Sequence, residues 1–239
     1  MKTFSLTDVG RVRESNQDYV YTSESPVGNL PNLFIVADGM GGHNAGDFAS
    51  KYTVEQIVTY IDTAPMTSPV DLIRGAVTKA NASLMALAKS DTSLSGMGTT
   101  VVIATIVSDC MYVANVGDSR LYLLQDELKQ ITRDHSLVQE MVRMGEMDAS
   151  EAKSHPDKNI ITRAVGAFEE LEIDFFEEHV QSGNVILMCT DGLSNMVDDT
   201  DIRQIIQTGR DVVEKVQHLV EAANRGGGKD NITVAIIEV

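Results

Sequence analysis

The sequence predicts an α+β fold in which two antiparallel β-sheets pack face to face as a sandwich and helices cover both outer sides, giving α-β-β-α layers. Strands and helices occur in blocks along the chain instead of alternating, which argues against a parallel βαβ fold. Residues 101–104, Val-Val-Ile-Ala, are apolar on both faces, as a strand requires between a sheet and a helical layer. No linker rich in proline, serine or glycine divides the 239 residues, so a single domain over residues 1–239 is predicted.

The elements follow from local patterns of apolar residues and turn signals. Short apolar runs bounded by turn residues predict strands near 3–8, 18–23, 33–38, 100–107, 111–116, 120–124, 172–176, 184–189 and 231–239. Apolar residues at helical spacing predict helices near 49–61, 70–88 and 136–144, and two more within 200–224. Turn signals at residues 108–109 and 117–118 separate the three strands between 99 and 132, which predicts an antiparallel meander there.

Charge and cysteine content limit the possible functions. The net charge is −16 and the pI is about 4.6, so phosphate-rich nucleic acid would be repelled. Cys110 and Cys189 both lie in apolar stretches, which is typical of buried free thiols in a reducing compartment. No run has the length of a signal-peptide core or a membrane span. The expected location is the cytoplasm, with no membrane partner.

Two apolar strands end in the dipeptide Asp-Gly, and a third aspartate opens the last strand. Asp38 and Gly39 follow the run 33–37, Asp191 follows the run 185–190, and Asp230 precedes the strand at 231–239. Carboxylates do not crowd together without cations between them. Oxygen ligands without a histidine or cysteine cluster favour magnesium or manganese over zinc. The pattern therefore predicts a divalent-metal hydrolase.

Arg13 lies in a polar turn, residues 13–18, which brings a cation close to an acid. Alone, this pattern is more typical of a surface salt bridge. Beside a dinuclear metal site the interpretation changes, because the planar guanidinium binds two oxygens of one phosphate at once.

Six motifs stand in a defined order along the chain: Arg13-x-x-Asn16-x-Asp18, Asp38-Gly39-x-Gly41-Gly42, Gly98-Thr99-Thr100, Val116-Gly117-Asp118-Ser119-Arg120, Asp191-Gly192 and Asp230-Asn231. From about Thr3 to Val239 the sequence resembles the metal-dependent Ser/Thr protein phosphatases of the PPM, or protein phosphatase 2C, class, in their compact bacterial form. A single Asp-Gly would carry little weight, because it is the commonest turn dipeptide. Six motifs in register are highly specific.

The resemblance implies two divalent ions, manganese or magnesium, and a weaker third one, and it assigns a role to each matching position. It implies that Asp38 bridges two ions, that the Gly39 carbonyl binds one of them, and that Asp191 and Asp230 bind the other. Asp118 together with Asp191 would hold the third ion. Asp18 would hold metal-associated water, Arg13 would bind phosphate, and Ser119 and Asn231 would support the ligands.

The resemblance implies hydrolysis of phosphoserine and phosphothreonine in proteins by direct attack of a metal-bridging water or hydroxide, opposing a bacterial Ser/Thr kinase. Met40 stands where many eukaryotic relatives carry a histidine, so His43 is the candidate proton donor, and its alternative role is to cap the helix near residue 45. Gln17 replaces an acid found in many relatives, which predicts weaker binding of the second metal. His135 is interpreted as a hydrogen-bonding group at a helix start.

Two other functions stay open at this point. A catalytically silent regulator or binding module with the same fold would usually have lost a ligand aspartate, and this chain has lost none. A hydrolase for small phosphoesters, or a phosphatase dedicated to one signalling partner, would differ in its substrate preference. The segment at about 145–165 corresponds to the mobile flap beside the active site in relatives. Substrate recognition is expected from the catalytic domain and this flap segment, and the expected oligomeric state is a monomer.

Overall fold

The computed structural model describes residues 1–42, 45–152 and 155–239. Within these ranges the chain forms eleven strands, seven α-helices and a short 3-10 helix at Thr92–Leu94. The strands are β1 (Lys2–Asp8), β2 (Asp18–Ser23), β3 (Leu33–Met40), β4 (Gly98–Thr99), β5 (Val101–Val107), β6 (Cys110–Val116), β7 (Arg120–Leu124), β8 (Leu128–Gln130), β9 (Asp174–His179), β10 (Val185–Cys189) and β11 (Ile232–Glu238). The helices are α1 (Ala45–Thr63), α2 (Pro69–Ser90), α3 (Leu137–Arg143), α4 (Ala149–Ala152), α5 (Asp191–Ser194), α6 (Asp199–Thr208) and α7 (Val212–Arg225).

The described strands form two antiparallel sheets. Sheet I has the order β1-β11-β10-β7-β8, and sheet II has the order β2-β3-β5-β6-β9, with the short β4 paired to β3. The sheets are stacked, α1 and α2 cover sheet II, and α5 to α7 cover sheet I. This arrangement confirms the predicted α+β sandwich.

Three apolar clusters fill the spaces between the layers, and β3 shows how one strand serves two of them. Leu33 and Ile35 point into the cluster under α1 and α2, whereas Phe34 and Val36 point into the cluster between the sheets. All four side chains are fully buried. Successive side chains of a strand lie on opposite faces, so a strand between two apolar layers must be apolar throughout. Burial of each such side chain contributes about 1.5–3 kcal/mol to the free energy of unfolding.

The predicted meander between residues 99 and 132 is wrong in one respect. β5 and β6 pair within sheet II, but β7 pairs with β10 in sheet I. The chain changes sheets at Gly117, whose φ of 106° lies in the region that favours glycine, and a Cβ there would lie 2.6 Å from the Thr100 side chain. The dipeptide Gly117-Asp118 therefore marks a crossing between layers and not a hairpin.

Smaller differences concern short elements and the cysteines. The strand predicted at 172–176 begins at Asp174 and extends to His179, and the predictions omitted the short elements β8, α4 and α5. Both cysteines are free; Cys189 is buried as expected, but Cys110 is only half-buried. Among the residues that the structure describes, no helix combines the length and apolar character that crossing a membrane requires.

Candidate active site

Sheet II supplies two carboxylates through neighbouring strands. Asp18, the first residue of β2, lies opposite Asp38 in the β2–β3 register. The Asp38 amide donates to Thr100 Oγ1 at 2.9 Å, and the Thr100 amide donates to the Asp38 carbonyl at 2.8 Å. These bonds hold the end of β3 against the start of β5, so the direction of the Asp38 side chain is set by backbone pairing.

Sheet I supplies two more carboxylates from its neighbouring strands β10 and β11. Asp191 begins α5 two residues after the end of β10, and Asp230 precedes β11 by two residues. Asp191 Oδ2 accepts a hydrogen bond from Asn195 Nδ2 at 2.8 Å. Asp118 arrives at the same end of the sandwich from the crossing between β6 and β7. The carboxylates therefore converge because both sheets terminate at one place.

These residues surround a cavity of about 280 Å³. Its lining contains Arg13, Gln17, Asp38, Gly39, Met40, Gly41, Thr100, Asp118, Asn159, Ile161, Asp191, Asp230 and Asn231. Asp18 is buried behind this lining, with 6% of its surface exposed. The structure thus brings together the predicted site residues that it describes. His43 lies outside the described residues.

Glycine is required beside Asp38 for steric reasons. A Cβ at Gly39 would lie 2.0 Å from the carbonyl oxygen of Gly46 and 2.6 Å from that of Gln17. The Gly39 amide donates to the same Gln17 carbonyl at 3.0 Å. The close approach of three backbone segments explains why Asp-Gly, and not another dipeptide, ends this strand.

The environment raises the pKa of four of these carboxyl groups, those of Asp18, Asp38, Asp118 and Asp191, above the ordinary value. Burial is the main cause at every position, and the neighbouring carboxylates add to it. The pKa is raised to about 7 for Asp18, about 8 for Asp118 and about 6 for Asp191, and the pKa of Asp38 is raised strongly. Such a cluster is stabilised in its ionised form by bound cations.

The donor set of the cavity fits divalent cations. Asp18 Oδ1 and Asp191 Oδ1 are buried, and neither has a hydrogen-bond partner among the residues that the structure describes. Carboxylate oxygens and a backbone carbonyl are the ligands that magnesium and manganese prefer. Across residues 1–42, 45–152 and 155–239, no three acidic, histidine or cysteine side chains form a compact ligand cage. The fit therefore rests on the donor chemistry and on the unpartnered buried oxygens.

A series of hydrogen-bonded threonine hydroxyl groups supports Asp18 on the side away from the cavity. Thr190 Oγ1 donates to Asp18 Oδ2 at 2.8 Å and accepts the Thr233 amide proton at 3.0 Å. Thr233 Oγ1 in turn lies 2.7 Å from Thr7 Oγ1. Thr7 and Thr233 belong to sheet I and Thr190 follows its strand β10, whereas Asp18 belongs to sheet II, so this series of hydroxyl groups joins the sheets directly behind the cavity. Sequence reasoning missed them, although a hydroxyl residue immediately before Asp191 was a usable signal.

Asn231 contributes to the cavity lining and Ser119 lies behind it, and both make hydrogen bonds to the segments that carry the predicted ligands. Asn231 Oδ1 accepts the Gln17 amide proton at 2.8 Å, and its Nδ2 donates to the carbonyls of Val9 at 3.0 Å and Ser15 at 2.9 Å. One side chain thus organises the turn that carries Arg13. Ser119 Oγ lies 2.8 Å from Thr100 Oγ1, next to the backbone bonds of Asp38.

Arg13 stands at the rim of the cavity. Its Nη2 donates to Asp230 Oδ2 at 2.9 Å, and this hydrogen bond raises the pKa of the guanidinium group. Half of the Arg13 side chain is exposed. A salt bridge is present, as the simpler interpretation expects, but its partner is a predicted metal ligand and not a remote surface acid.

His135 does not act at the helix start as the sequence interpretation expects. The residue that precedes α3 and faces its first turn is Ser136, whose Oγ accepts from the Gln139 amide at 3.4 Å. The His135 ring is buried, its Nδ1 accepts the Gly117 amide proton at 3.0 Å, and burial lowers its pKa. The ring therefore contacts the segment that carries Asp118.

The flap segment (145–165) borders the cavity through Asn159 and Ile161. Its C-terminal part is attached to the start of α3, since the Leu137 amide donates to the Ile160 carbonyl at 2.8 Å. Lys158 Nζ also donates to Asn195 Oδ1, 3.0 Å away, and Asn195 is the residue that binds Asp191. The flap segment thus contacts the residues around the predicted ligands.

Comparisons with known proteins show the family of the chain. The Protein phosphatase 2C family profile matches residues 10–226. The serine/threonine phosphatase Stp of Listeria monocytogenes is 41% identical over 237 residues, which are 97% of this chain and 93% of that protein. The solved serine/threonine phosphatase of S. agalactiae has a TM-score of 0.92 and 37% identity, covering 100% of this chain and 99% of its own.

A third similar structure is the catalytic domain of the serine/threonine protein phosphatase PstP in complex with two manganese ions. Its TM-score is 0.87 at 34% identity, with 99% of this chain and 97% of that chain covered. The family profile and these identities over nearly the full length lead to one conclusion: the chain belongs to the protein phosphatase 2C family.

Proposed function

We propose that the chain is a metal-dependent protein serine/threonine phosphatase that hydrolyses phosphoserine and phosphothreonine by direct attack of water on phosphorus. The observation that carries this proposal is the convergence of carboxylates from both sheets on one cavity with Arg13 at its rim. The family membership supports the same activity. No ligand aspartate is replaced, so nothing favours the catalytically silent regulator.

The residues proposed to hold the cations are those of the cavity. Asp38 would lie between two ions, with the Gly39 carbonyl on one and Asp191 and Asp230 on the other, and Asp118 would join Asp191 at a third, weaker position. When bound, manganese or magnesium activates water as a nucleophile and neutralises charge on the phosphoryl oxygens. The two manganese ions in the structure of the PstP catalytic domain support a site for two principal ions.

Arg13 is proposed to bind the phosphoryl group. The guanidinium already lies at the rim, and a phosphate that displaces Asp230 Oδ2 would accept two parallel hydrogen bonds from it. Such bonds strengthen as charge accumulates on the phosphoryl oxygens in the transition state, so Arg13 contributes to binding and to catalysis.

Asp18 and His43 are proposed to handle protons. Asp18 has one oxygen bound by Thr190 and one buried oxygen with no hydrogen-bond partner in the described parts of the chain, which is suited to orient a water behind the cavity lining. Burial raises the pKa of Asp18 to about 7 in the metal-free protein, and bound cations lower it, so Asp18 is proposed to act as a carboxylate that accepts a hydrogen bond from this water. His43 is proposed to protonate the serine or threonine oxygen as it leaves.

The cellular setting is proposed by analogy with bacterial relatives. We propose that residues 1–239 act as one catalytic domain, monomeric and cytoplasmic, and that the enzyme opposes a Ser/Thr protein kinase. Support comes from the names of the relatives, which are serine/threonine phosphatases. The flap segment is proposed to contribute to peptide recognition because it borders the cavity.

The experiment that tests this proposal compares Asp230→Asn with Asp62→Asn on a phosphothreonine peptide and on p-nitrophenyl phosphate, with manganese present. Asp230 lines the cavity, whereas Asp62 is exposed on α1 and serves as the matched control. We expect the wild type and Asp62→Asn to prefer the phosphopeptide and Asp230→Asn to be inactive on both substrates. Undiminished turnover by Asp230→Asn would refute the proposed site, and a preference for the aryl phosphate would favour a small-phosphoester hydrolase.

A further inference from the structure

His135 holds the residue directly before Asp118 by both of its backbone polar groups. The His135 amide donates to the Gly117 carbonyl at 3.0 Å, and His135 Nδ1 accepts the Gly117 amide proton at 3.0 Å. The imidazole is 4% exposed, so these bonds form away from solvent. Two reciprocal bonds to one residue define its orientation more strictly than one bond would.

The segment around Gly117 needs such support. Gly117 has a φ of 106° and lies where the chain passes from sheet II to sheet I, outside the hydrogen-bond ladder of either sheet. A second contact, from Asn115 Nδ2, reaches the Gly117 carbonyl at 3.2 Å. Within the described parts of the chain, the acceptor for the Gly117 amide is His135 Nδ1. The direction of Asp118 therefore depends on this ring.

His135 also contacts the end of the flap segment through its backbone carbonyl and β9 through the other nitrogen of its ring. The His135 carbonyl accepts the Thr162 amide proton at 2.8 Å, and His135 Nε2 lies 3.3 Å from Asp174 Oδ2. Asp174 Oδ1 also accepts from Arg163 Nη1 at 2.9 Å. Because the Gly117 amide can only donate, Nδ1 carries no proton, and Nε2 donates to Asp174.

We propose that His135 is a positioning residue that aims the Asp118 carboxylate at its cation and links Asp118 to the base of the flap segment. The inference rests on the proposed function, in which Asp118 completes the weak third cation position. A buried histidine that only stabilised the fold would change the unfolding temperature and leave the cation affinity of Asp118 unchanged. Cation binding therefore distinguishes positioning from simple stabilisation.

The test uses two replacements that separate the ring nitrogens. His135→Asn places an amide oxygen near the position of Nδ1 and keeps an acceptor for Gly117, whereas His135→Gln extends its amide toward the position of Nε2 and removes that acceptor. His179→Asn is the matched control, because His179 is largely exposed at the end of β9. Manganese binding to each purified full-length variant is measured by calorimetry, and the site that disappears in Asp118→Asn defines the Asp118-dependent ion.

We expect His135→Gln to bind that ion about tenfold more weakly than the wild type does. His135→Asn and His179→Asn should bind it with nearly the wild-type affinity. In the Asp118→Asn background, His135→Gln should have no further effect on manganese binding. A wild-type affinity in His135→Gln, or an equal loss when Asp118 is already replaced, would overturn the proposal.

Circular dichroism shows whether each variant is folded. If His135→Gln does not fold, His135→Leu, which also lacks the acceptor, takes its place: a tenfold loss of affinity for the Asp118-dependent ion is expected, and a wild-type affinity, or a tenfold loss in folded His135→Asn, would overturn the proposal. If the proposed function itself is wrong, the result is different: the wild type would then show no manganese-dependent release of phosphate from a phosphopeptide.

Discussion

Replacement of Asp191 by asparagine should stabilise the protein in chelator while abolishing its activity. Burial, with the repulsion from Asp230, raises the pKa of the Asp191 carboxyl group from 3.8 to about 6. The amide keeps the shape of the side chain, and its oxygen can still accept the bond from Asn195 Nδ2. The variant therefore removes a buried charge without creating a cavity.

The direction of the pH effect follows from linkage. The folded state binds the Asp191 proton more tightly than the unfolded state, so stability falls as the pH rises from about 4 to about 6. A pKa raised by about 2 corresponds to about 3 kcal/mol of unfolding free energy. For a chain of this size, that is a difference of about 6–12 °C in the unfolding temperature. Asp191→Asn should recover this difference at pH 8 and gain almost nothing at pH 4.

The assay is thermal unfolding in chelator at pH 4, 6 and 8, followed by circular dichroism, with phosphopeptide hydrolysis in manganese measured in parallel. Asp62→Asn, which removes an exposed carboxylate, should unfold at nearly the wild-type temperature at each pH. An Asp191→Asn variant that is no more stable than the wild type at pH 8, or whose advantage is as large at pH 4, would refute the electrostatic argument.

Three further predictions concern the surroundings of the cavity. Arg13→Ala should raise KM for a phosphothreonine peptide about tenfold or more, through a charged phosphate contact of about 1.5–3 kcal/mol, and an unchanged KM in steady-state kinetics would exclude Arg13 from the phosphate site. Thr190→Val removes the donor to Asp18 Oδ2 and should lower the unfolding free energy by about 2 kcal/mol in urea titration; an unchanged midpoint would contradict this. Gly192→Ala should lower the unfolding free energy by about 3 kcal/mol, because the added Cβ would lie 1.9 Å from the Asn231 carbonyl oxygen. A wild-type unfolding temperature would disprove the clash.

The layers of the fold could be predicted because burial leaves a pattern in the sequence. β3 from Leu33 to Ala37 and β5 from Val101 to Ala104 are apolar without interruption, and such runs require packing on both faces. The placement of Asp38 and Asp191 was predictable for the same reason, since a buried strand delivers its last residues to a defined place. The polar turn at residues 13–18 made Arg13 a candidate, and the family resemblance then extended the set to Asp18 and Asp118.

The remaining features depend on contacts between residues distant in the sequence. The turn signal at Gly117 is the same whether the chain forms a hairpin or crosses between sheets, and only the pairing of β7 with β10 decides which occurs. His135 lies two residues before α3, so its bond to Gly117, 18 residues earlier in the chain, has no local pattern. Thr233 and Thr7 meet across 226 residues for the same reason.

The most direct test of the central claim is the release of phosphate from a phosphothreonine peptide by the purified protein, with manganese, with magnesium and with chelator, each beside Asp38→Asn. The account predicts turnover in metal, none in chelator, and none with Asp38→Asn under any condition, because Asp38 lies at the centre of the proposed ligand set. Turnover that persists in chelator, or in Asp38→Asn with metal, would contradict it.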